Sequence, residues 1–466
     1  MKSISILIIT FLIAINVTAQ DINGQWNGIL KVQGTQLRVV FNLTQTENGL
    51  SATLDSPDQG AKGIPTTSSS FENSILRITI ANLTIEYEGT LGSDNIIVGN
   101  FKQAGQSFPM NLSKEIAEKE KLLRPQEPTK PYAYHTEEVT FKNKKAGISL
   151  AGTLSLPKKE GVFPVVILIS GSGPQNRDEE LMEHKPFLVL ADYLTKNGIA
   201  VLRYDDRGTA SSKGDFKKAT SADFATDVEA GIAFLKTRKE INKKKIGLIG
   251  HSEGGLIAPM VATESKDVSF IILLAGPGIP GDSILLLQQQ LIGKVSGLSD
   301  EVLQQNASTN RKIFQIVKES NNPEQLKIDL TNSITQALKE NPTAQKPAGM
   351  SEEDFVKLQV NQIATPWMQY FIKYNPAPIL AKVKCPVLAL NGEKDLQVPP
   401  KENLDAISNA LAKGGNKKVT IMELPNLNHL FQECKTGSPY EYASIEQTFS
   451  PTALTEILKW IKMQTK

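Results

Sequence analysis

One stretch constrains the fold more than any other: Lys245-Ile246-Gly247-Leu248-Ile249 runs directly into Gly250-His251-Ser252-Glu253-Gly254-Gly255. A short apolar strand ends on a serine with glycine two residues to either side, and a helix opens behind it. A serine held in so sharp a strand-to-helix turn needs both glycines, because a Cβ at either position collides with neighbouring backbone. The helix N-terminus just beyond favours negative charge. This spacing makes Ser252 the candidate nucleophile and leaves His251 as a packed residue in front of it.

A serine hydroxyl is a weak nucleophile until a base takes its proton, and the base needs a carboxylate to hold its tautomer. The order along such a chain should be serine, acid, histidine. The strand Val387-Leu388-Ala389-Leu390 leads into Asn391-Gly392-Glu393-Lys394-Asp395, so Asp395 is the candidate acid, with Glu393 as its rival closer to the strand. The next strand, 419–424, leads into Leu424-Pro425-Asn426-Leu427-Asn428-His429, and His429 is the candidate base. Oxyanion donors are expected from the backbone N–H of Glu253 and from Ser172 or Gly171 in the loop Ser170-Gly171-Ser172-Gly173-Pro174. Asp206 and Arg207, in Tyr204-Asp205-Asp206-Arg207-Gly208, are expected to order the same edge by pairing.

Those segments belong to a series. Short, almost continuously apolar runs at 165–170, 199–204, 246–250, 270–275, 387–391 and 419–424 alternate with helical stretches, which suits a mostly parallel, doubly wound sheet covered on both faces. Ligands then lie at the carboxyl ends of the strands. The catalytic α/β domain is expected over 137–278 and 385–466. The intervening 279–384 is too long for a plain crossover, and its apolar residues recur near helical spacing, so an all-helical cap is expected there. Trp367 and Tyr370 sit in its most apolar part and are the candidate substrate contacts, although that stretch also reads as cap core.

Ahead of this domain the pattern changes to a period of two. Leu37, Val39, Phe41 and Leu43 alternate with polar residues, as do Leu83, Ile85 and Tyr87. Seven or so such runs between 21 and 113 predict a small antiparallel, barrel-like β-domain, with Trp26 in its core. Residues 114–136, charged and then marked by Pro125, Pro128 and Pro131, read as a linker. Residues 1–20, with Lys2 before an apolar run and Val17-Thr18-Ala19 after it, read as an export leader, too short to span a bilayer. The mature protein is expected in the periplasm or outside the cell, without stable membrane insertion.

Lys plus Arg number 51 against 49 Asp plus Glu, so no basic footprint for nucleic acid exists. Four scattered histidines and two cysteines, Cys385 and Cys434, offer no metal-ligand spacing, and the cysteines are not expected to bridge.

Taken together, the elbow 250–255, the loop 170–174, Asp205-Asp206-Arg207-Gly208, Asn391 to Asp395 and Asn428-His429 resemble the α/β-hydrolases, in particular secreted bacterial carboxylesterases with an N-terminal β-domain and a helical cap. The resemblance implies hydrolysis of a small-molecule ester through an acyl-enzyme, without metal or organic cofactor. Related branches include serine aminopeptidases, dienelactone hydrolases and acyl thioesterases. A peptidase would need a subsite for a peptide terminus, for which Glu352, Glu353 and Asp354 of the cap offer carboxylates. A reading of another class makes the β-domain a glycan- or lipid-binding module. Glu253 departs from the Leu, Met or Gln more usual after the nucleophile.

Overall fold

A computed structural model of the chain describes residues 21–32, 35–103, 106–119, 123–340 and 351–466. The expected leader at 1–20 lies outside the described residues. The chain forms two compact units, a small one ending before residue 121 and a larger one after it. Among the described residues no helix is long and apolar enough to cross a membrane.

The small unit is antiparallel throughout. Strands β1 (Gly24–Val32), β2 (Thr35–Thr46), β3 (Gly49–Ser56) and β4 (Ala61–Pro65) make one sheet. Strands β5 (Ser68–Glu72), β6 (Ile75–Ile80), β7 (Ile85–Leu91), β8 (Ile97–Gln103) and β9 (Gln106–Pro109) make the other. The period of two is literal in β7, where Ile85, Tyr87, Gly89 and Leu91 are buried and the residues between them exposed. The two sheets share one core that includes Trp26, Phe41, Ile78, Tyr87 and Phe101. Residues outside the strands add further backbone bonds: Asn27 of β1 exchanges hydrogen bonds with Ser113, and Thr66 N–H reaches Ala52 in β3. Trp26 is fully buried and donates its indole N–H to the Ile22 carbonyl at 2.8 Å.

The larger unit holds an eight-stranded sheet. In chain order its strands are β10 (His135–Asn143), β11 (Ile148–Leu156), β12 (Phe163–Ile169), β13 (Ala200–Tyr204), β14 (Ile241–His251), β15 (Val268–Leu274), β16 (Val387–Gly392) and β17 (Val419–Leu424). In space they run β10-β11-β13-β12-β14-β15-β16-β17. The first two pairings are antiparallel and the rest parallel. This is the α/β-hydrolase architecture. Successive side chains of β12 enter opposite layers: Val165, Ile167 and Ile169 join one core, Val166 and Leu168 the other. Helices α1 (Pro186–Lys196), α2 (Ser221–Thr237) and α3 (Glu253–Glu264) follow β12, β13 and β14. With two further helices near the C-terminus they cover both faces, which is why the strands are apolar almost without interruption.

Between β15 and β16 the chain leaves the sheet as α4 (Gly281–Val295), α5 (Asp300–Glu319), α6 (Pro323–Glu340), α7 (Glu352–Ile363), α8 (Pro366–Lys373) and the short α9 (Ala377–Leu380). Ser299, Ser351 and Thr365 cap α5, α7 and α8 through their hydroxyls. The excursion has its own core, including Phe314, Val317, Leu330, Val360 and Ile372. A second cluster joins it to the rest of the unit, with Ile284 and Phe371 on Leu256 of α3 and on Val398. The sheet is completed by α10 (Pro400–Lys413) before β17 and α11 (Pro451–Thr465) after it.

The stretch read as a linker is not free along its length. Arg124 donates to the carbonyls of Met182, Glu183, Ala443 and Ile445, and Gln126 accepts from the Thr448 and Phe449 amides. From residue 123 the chain is therefore laid onto the larger unit.

Candidate active site

The turn between β14 and α3 shows why both glycines are needed. A Cβ on Gly250 would stand 1.9 Å from the Gly254 carbonyl oxygen, and one on Gly254 would stand 2.1 Å from that of Ile169. Ser252 itself has φ 51° and ψ −116°, a left-handed conformation that costs a non-glycine residue about 1–3 kcal/mol. Its N–H is tied to the Leu274 carbonyl at 2.8 Å, and the residue is half-buried.

Asp395 follows β16 on a loop whose geometry it sets. One carboxylate oxygen accepts the backbone N–H groups of Gln397 and Val398 at 2.8 and 2.9 Å, and the other faces His429 Nδ1 at 2.7 Å. Asp395 and His429 are both buried. With Nδ1 held by a carboxylate, the proton-accepting nitrogen of His429 is Nε2. Asn428 builds the turn that presents this ring, its side-chain oxygen accepting from the Leu430 and Gln432 amides. Gly392 lets the two loops touch, since a Cβ there would lie 2.3 Å from the Leu427 carbonyl oxygen. Glu393 is exposed and accepts the Asn426 amide, so it does not compete for His429.

The loop after β12 lies against the nucleophile. A Cβ on Gly171 would be 3.2 Å from Ser252 Cβ. The expected use of Gly171 as an oxyanion donor is corrected here: its N–H is already given to Glu179 Oε1 at 2.6 Å. Glu253 at the first position of α3 and Ser172 remain. Asp206 clamps both ends of the loop, accepting from the Ser170 hydroxyl at 2.8 Å and the Gln175 amide at 3.0 Å. Burial pushes its carboxyl well above the usual range, those two hydrogen bonds only partly opposing it. The expected pairing of Asp206 with Arg207 is also corrected. Arg207 instead forms a two-pronged pair with Asp227 of α2, at 2.7 and 2.9 Å.

Sequence reasoning missed Glu179 and undervalued His251. Both are buried, with His251 Nδ1 2.9 Å from Glu179 Oε1 and Nε2 2.9 Å from the backbone oxygen of His429. Each ring nitrogen faces an acceptor, which suits a doubly protonated imidazole. Burial pulls its pKa down, but the Glu179 charge and hydrogen bond and the His429 carbonyl outweigh that and raise it. One pair thus joins the loop after β12, the nucleophile turn and the loop carrying His429. The left-handed φ of 51° at Glu179 is a sign of this constraint that no sequence pattern announces.

The cap meets this site at Glu253. Its side-chain Oε1 accepts the Ser221 hydroxyl of α2 at 2.6 Å and the indole N–H of Trp367 of α8 at 2.8 Å. Trp367 also stacks on Phe371, their ring centroids 5.2 Å apart, and Tyr370 is half-buried against Tyr374. Glu352, Glu353 and Asp354 are exposed in the first turn of α7. Among the described residues no cluster of three or more His, Cys, Asp or Glu side chains is arranged to hold a metal ion.

Farther along the loop, fully buried His184 faces the Thr448 hydroxyl with Nδ1 at 3.0 Å and the Tyr442 carbonyl with Nε2 at 2.9 Å. Burial pulls its pKa down to about 4, against 6.5 for a free side chain. The neutral ring therefore contributes stability that is complete above pH 6.5 and is lost as the pH falls through 4, in total on the order of 3 kcal/mol. Urea denaturation of the wild type between pH 7 and 4 is expected to show a loss that His184→Gln largely lacks. Equal losses in both proteins would mean that other groups carry the acid sensitivity.

A family model described as X-Pro dipeptidyl-peptidase (S15 family) matches residues 146–424, a span that takes in Ser252 and Asp395 and stops short of His429. Esterase EstD of Thermotoga maritima is 25% identical over 316 residues, covering 67% of this chain and 65% of that protein. The uncharacterized protein PA2218 of Pseudomonas aeruginosa is 31% identical over 130 residues, 28% of this chain and 33% of that one. The chain thus spans less than two thirds of the length of these curated relatives. An esterase of Pyrococcus furiosus superimposes with a TM-score of 0.44 at 16% identity, covering 75% of this chain and 100% of that structure.

Proposed function

Because the chain belongs to the X-Pro dipeptidyl-peptidase (S15) family, we propose that it is a serine hydrolase, and that the bond it cleaves is a carboxylic ester. The observation that carries the reading is the buried 2.7 Å contact between Asp395 and His429 on loops beside the Ser252 turn. Ser252 Oγ attacks the ester carbonyl while His429 Nε2 takes its proton, and Asp395 stabilises the imidazolium that forms. The oxyanion is met by the N–H groups of Glu253 and Ser172. Collapse expels the alcohol with the proton from His429. Water, deprotonated by the same nitrogen, then releases the acid and restores Ser252. Side chains and water balance the whole cycle.

An ester is favoured over a peptide on two grounds. EstD, named an esterase, is 25% identical over 316 residues, 67% of this chain. The carboxylates offered for a peptide terminus, Glu352 to Asp354, are exposed on α7, and Glu253 is already engaged by Ser221 and Trp367. The family description is the specific reason to keep a peptidase as the second reading. Glycan binding through Trp26 has no support, since that indole is buried and spoken for. Export to the periplasm or beyond is proposed from residues 1–20.

A panel of p-nitrophenyl acyl esters is expected to be turned over at kcat/KM values at least about a hundredfold above X-Pro and aminoacyl p-nitroanilides. The reverse ranking would make the protein a peptidase. A fluorophosphonate is expected to label Ser252 alone, because only an activated serine attacks phosphorus quickly. Labelling that persists in Ser252→Ala, located by peptide mapping, would move the nucleophile elsewhere.

A further inference from the structure

Glu253 occupies an unusual place for an acid. Its backbone N–H is a proposed oxyanion donor, while its side chain is buried and accepts from two neutral donors, Ser221 and Trp367. Both donors converge on Oε1, and neither brings a positive charge that would offset ionisation. Its ionisable neighbours do not offset a charge. Asp206, beyond β13, and Tyr370, on α8, lie near enough for a charge on Glu253 to raise their pKa values, and both are acids. Arg207 gives its charge to Asp227, and the carboxylates of Glu179 and Asp395 face His251 and His429 rather than Glu253. An ionised Glu253 would be a buried anion without a cationic partner, next to the amide that must meet a second negative charge in the transition state.

We propose that Glu253 works un-ionised, as a positioning residue that fastens Trp367 of the cap to the nucleophile turn, and that loss of its proton as the pH rises silences the site. Burial raises its pKa above the ordinary carboxyl value, with the Ser221 and Trp367 hydrogen bonds opposing in part, which agrees with this assignment. The inference rests on the proposed ester hydrolysis at Ser252. It gives the residue after the nucleophile two separate tasks: its main chain serves the oxyanion and its side chain holds the cap.

The test is the pH dependence of kcat for ethyl butyrate hydrolysis, followed in a pH-stat from pH 5 to 10, with wild type, Glu253→Gln, Glu253→Leu and Trp367→Phe. Wild type should show a falling limb of about tenfold per pH unit above the ionisation of Glu253. Glu253→Gln keeps the oxygen acceptor without a titrating proton. It should lose that limb while retaining roughly a third of the kcat seen at the wild-type optimum. Glu253→Leu, which leaves both donors unpaired, should fall about thirtyfold, and Trp367→Phe, which removes only the N–H, about fivefold. A limb that survives in Glu253→Gln, a wild-type profile flat to pH 10, or a Leu variant as active as the Gln variant each overturns the proposal. Trp367→Phe approaches the same bond from the cap, so the question stays open to test if a change at 253 prevents folding. Fluorophosphonate labelling keeps the two readings apart: label confined to Ser252 with an unaltered pH limb in Glu253→Gln refutes this inference alone.

Discussion

Ser252→Ala and His429→Ala are each expected to lower kcat by about four to six orders of magnitude, with the fold intact by circular dichroism and thermal melting. Nucleophile and base act as one unit, so the double variant should be scarcely worse than either single one. Asp395→Asn is expected to cost about 10⁴-fold, because an amide at that position stabilises the wrong imidazole tautomer. The substitution is severe for a geometric reason: Asp395 accepts from two loop amides as well as from His429, and asparagine cannot satisfy all three without turning its NH₂ group onto one of them. Single-turnover measurements with p-nitrophenyl butyrate would check these values. A His429→Ala enzyme within about tenfold of wild type would require another base.

The second large effect concerns folding rather than chemistry. Gly250→Ala and Gly254→Ala each place a methyl about 2 Å from a main-chain carbonyl oxygen, at 1.9 and 2.1 Å. Flexible side chains can yield to an intruding carbon, but here the obstacles are the backbone of α3 and of β12. The turn must open, and Ser252, already held at a left-handed φ, must move with it. Each variant should lose at least about 4 kcal/mol, on the order of 10 °C in Tm, together with nearly all fluorophosphonate labelling. A soluble Gly254→Ala protein with an unchanged Tm and normal labelling would show that the turn has slack.

These two results bear on parts of the molecule that could be read from the sequence. The elbow, Asp395 and His429 announce themselves because each sits just past an apolar strand, where chemistry in a parallel sheet must be placed. The cap was legible for a similar reason: 279–384 is too long to be a crossover. What escaped notice depends on contacts between distant residues. Glu179 carries no pattern of its own; its role comes from reaching His251, 72 residues away, and from taking the Gly171 amide that looked free for the oxyanion. Trp367 read as an apolar contact, whereas its polar edge reaches Glu253 across 114 residues. In the small unit, β4 and β5 were not anticipated, since Ala61–Pro65 and Ser68–Glu72 bury no residue and so show no alternation. The rule that finds half-buried strands has nothing to detect there.

The cap's points of departure and return carry a consequence for descent. The Gly281 amide, at the start of α4, is hydrogen-bonded to the Tyr374 carbonyl at the end of α8 at 3.0 Å, and the chain just before it is pinned where Gly278 N–H meets the Asn403 side chain at 2.8 Å. Everything from α4 to α8 is therefore an excursion whose two ends meet in one bond. Closing a flexible excursion of twice the length costs only about 0.6 kcal/mol more. Helices could thus be gained, lost or exchanged between those ends over generations while β15 and β16 stay paired and the catalytic loops keep their places. A lineage built on this framework can change what it admits to the site by rewriting one continuous stretch of the gene, with the segments that perform the reaction inherited unaltered.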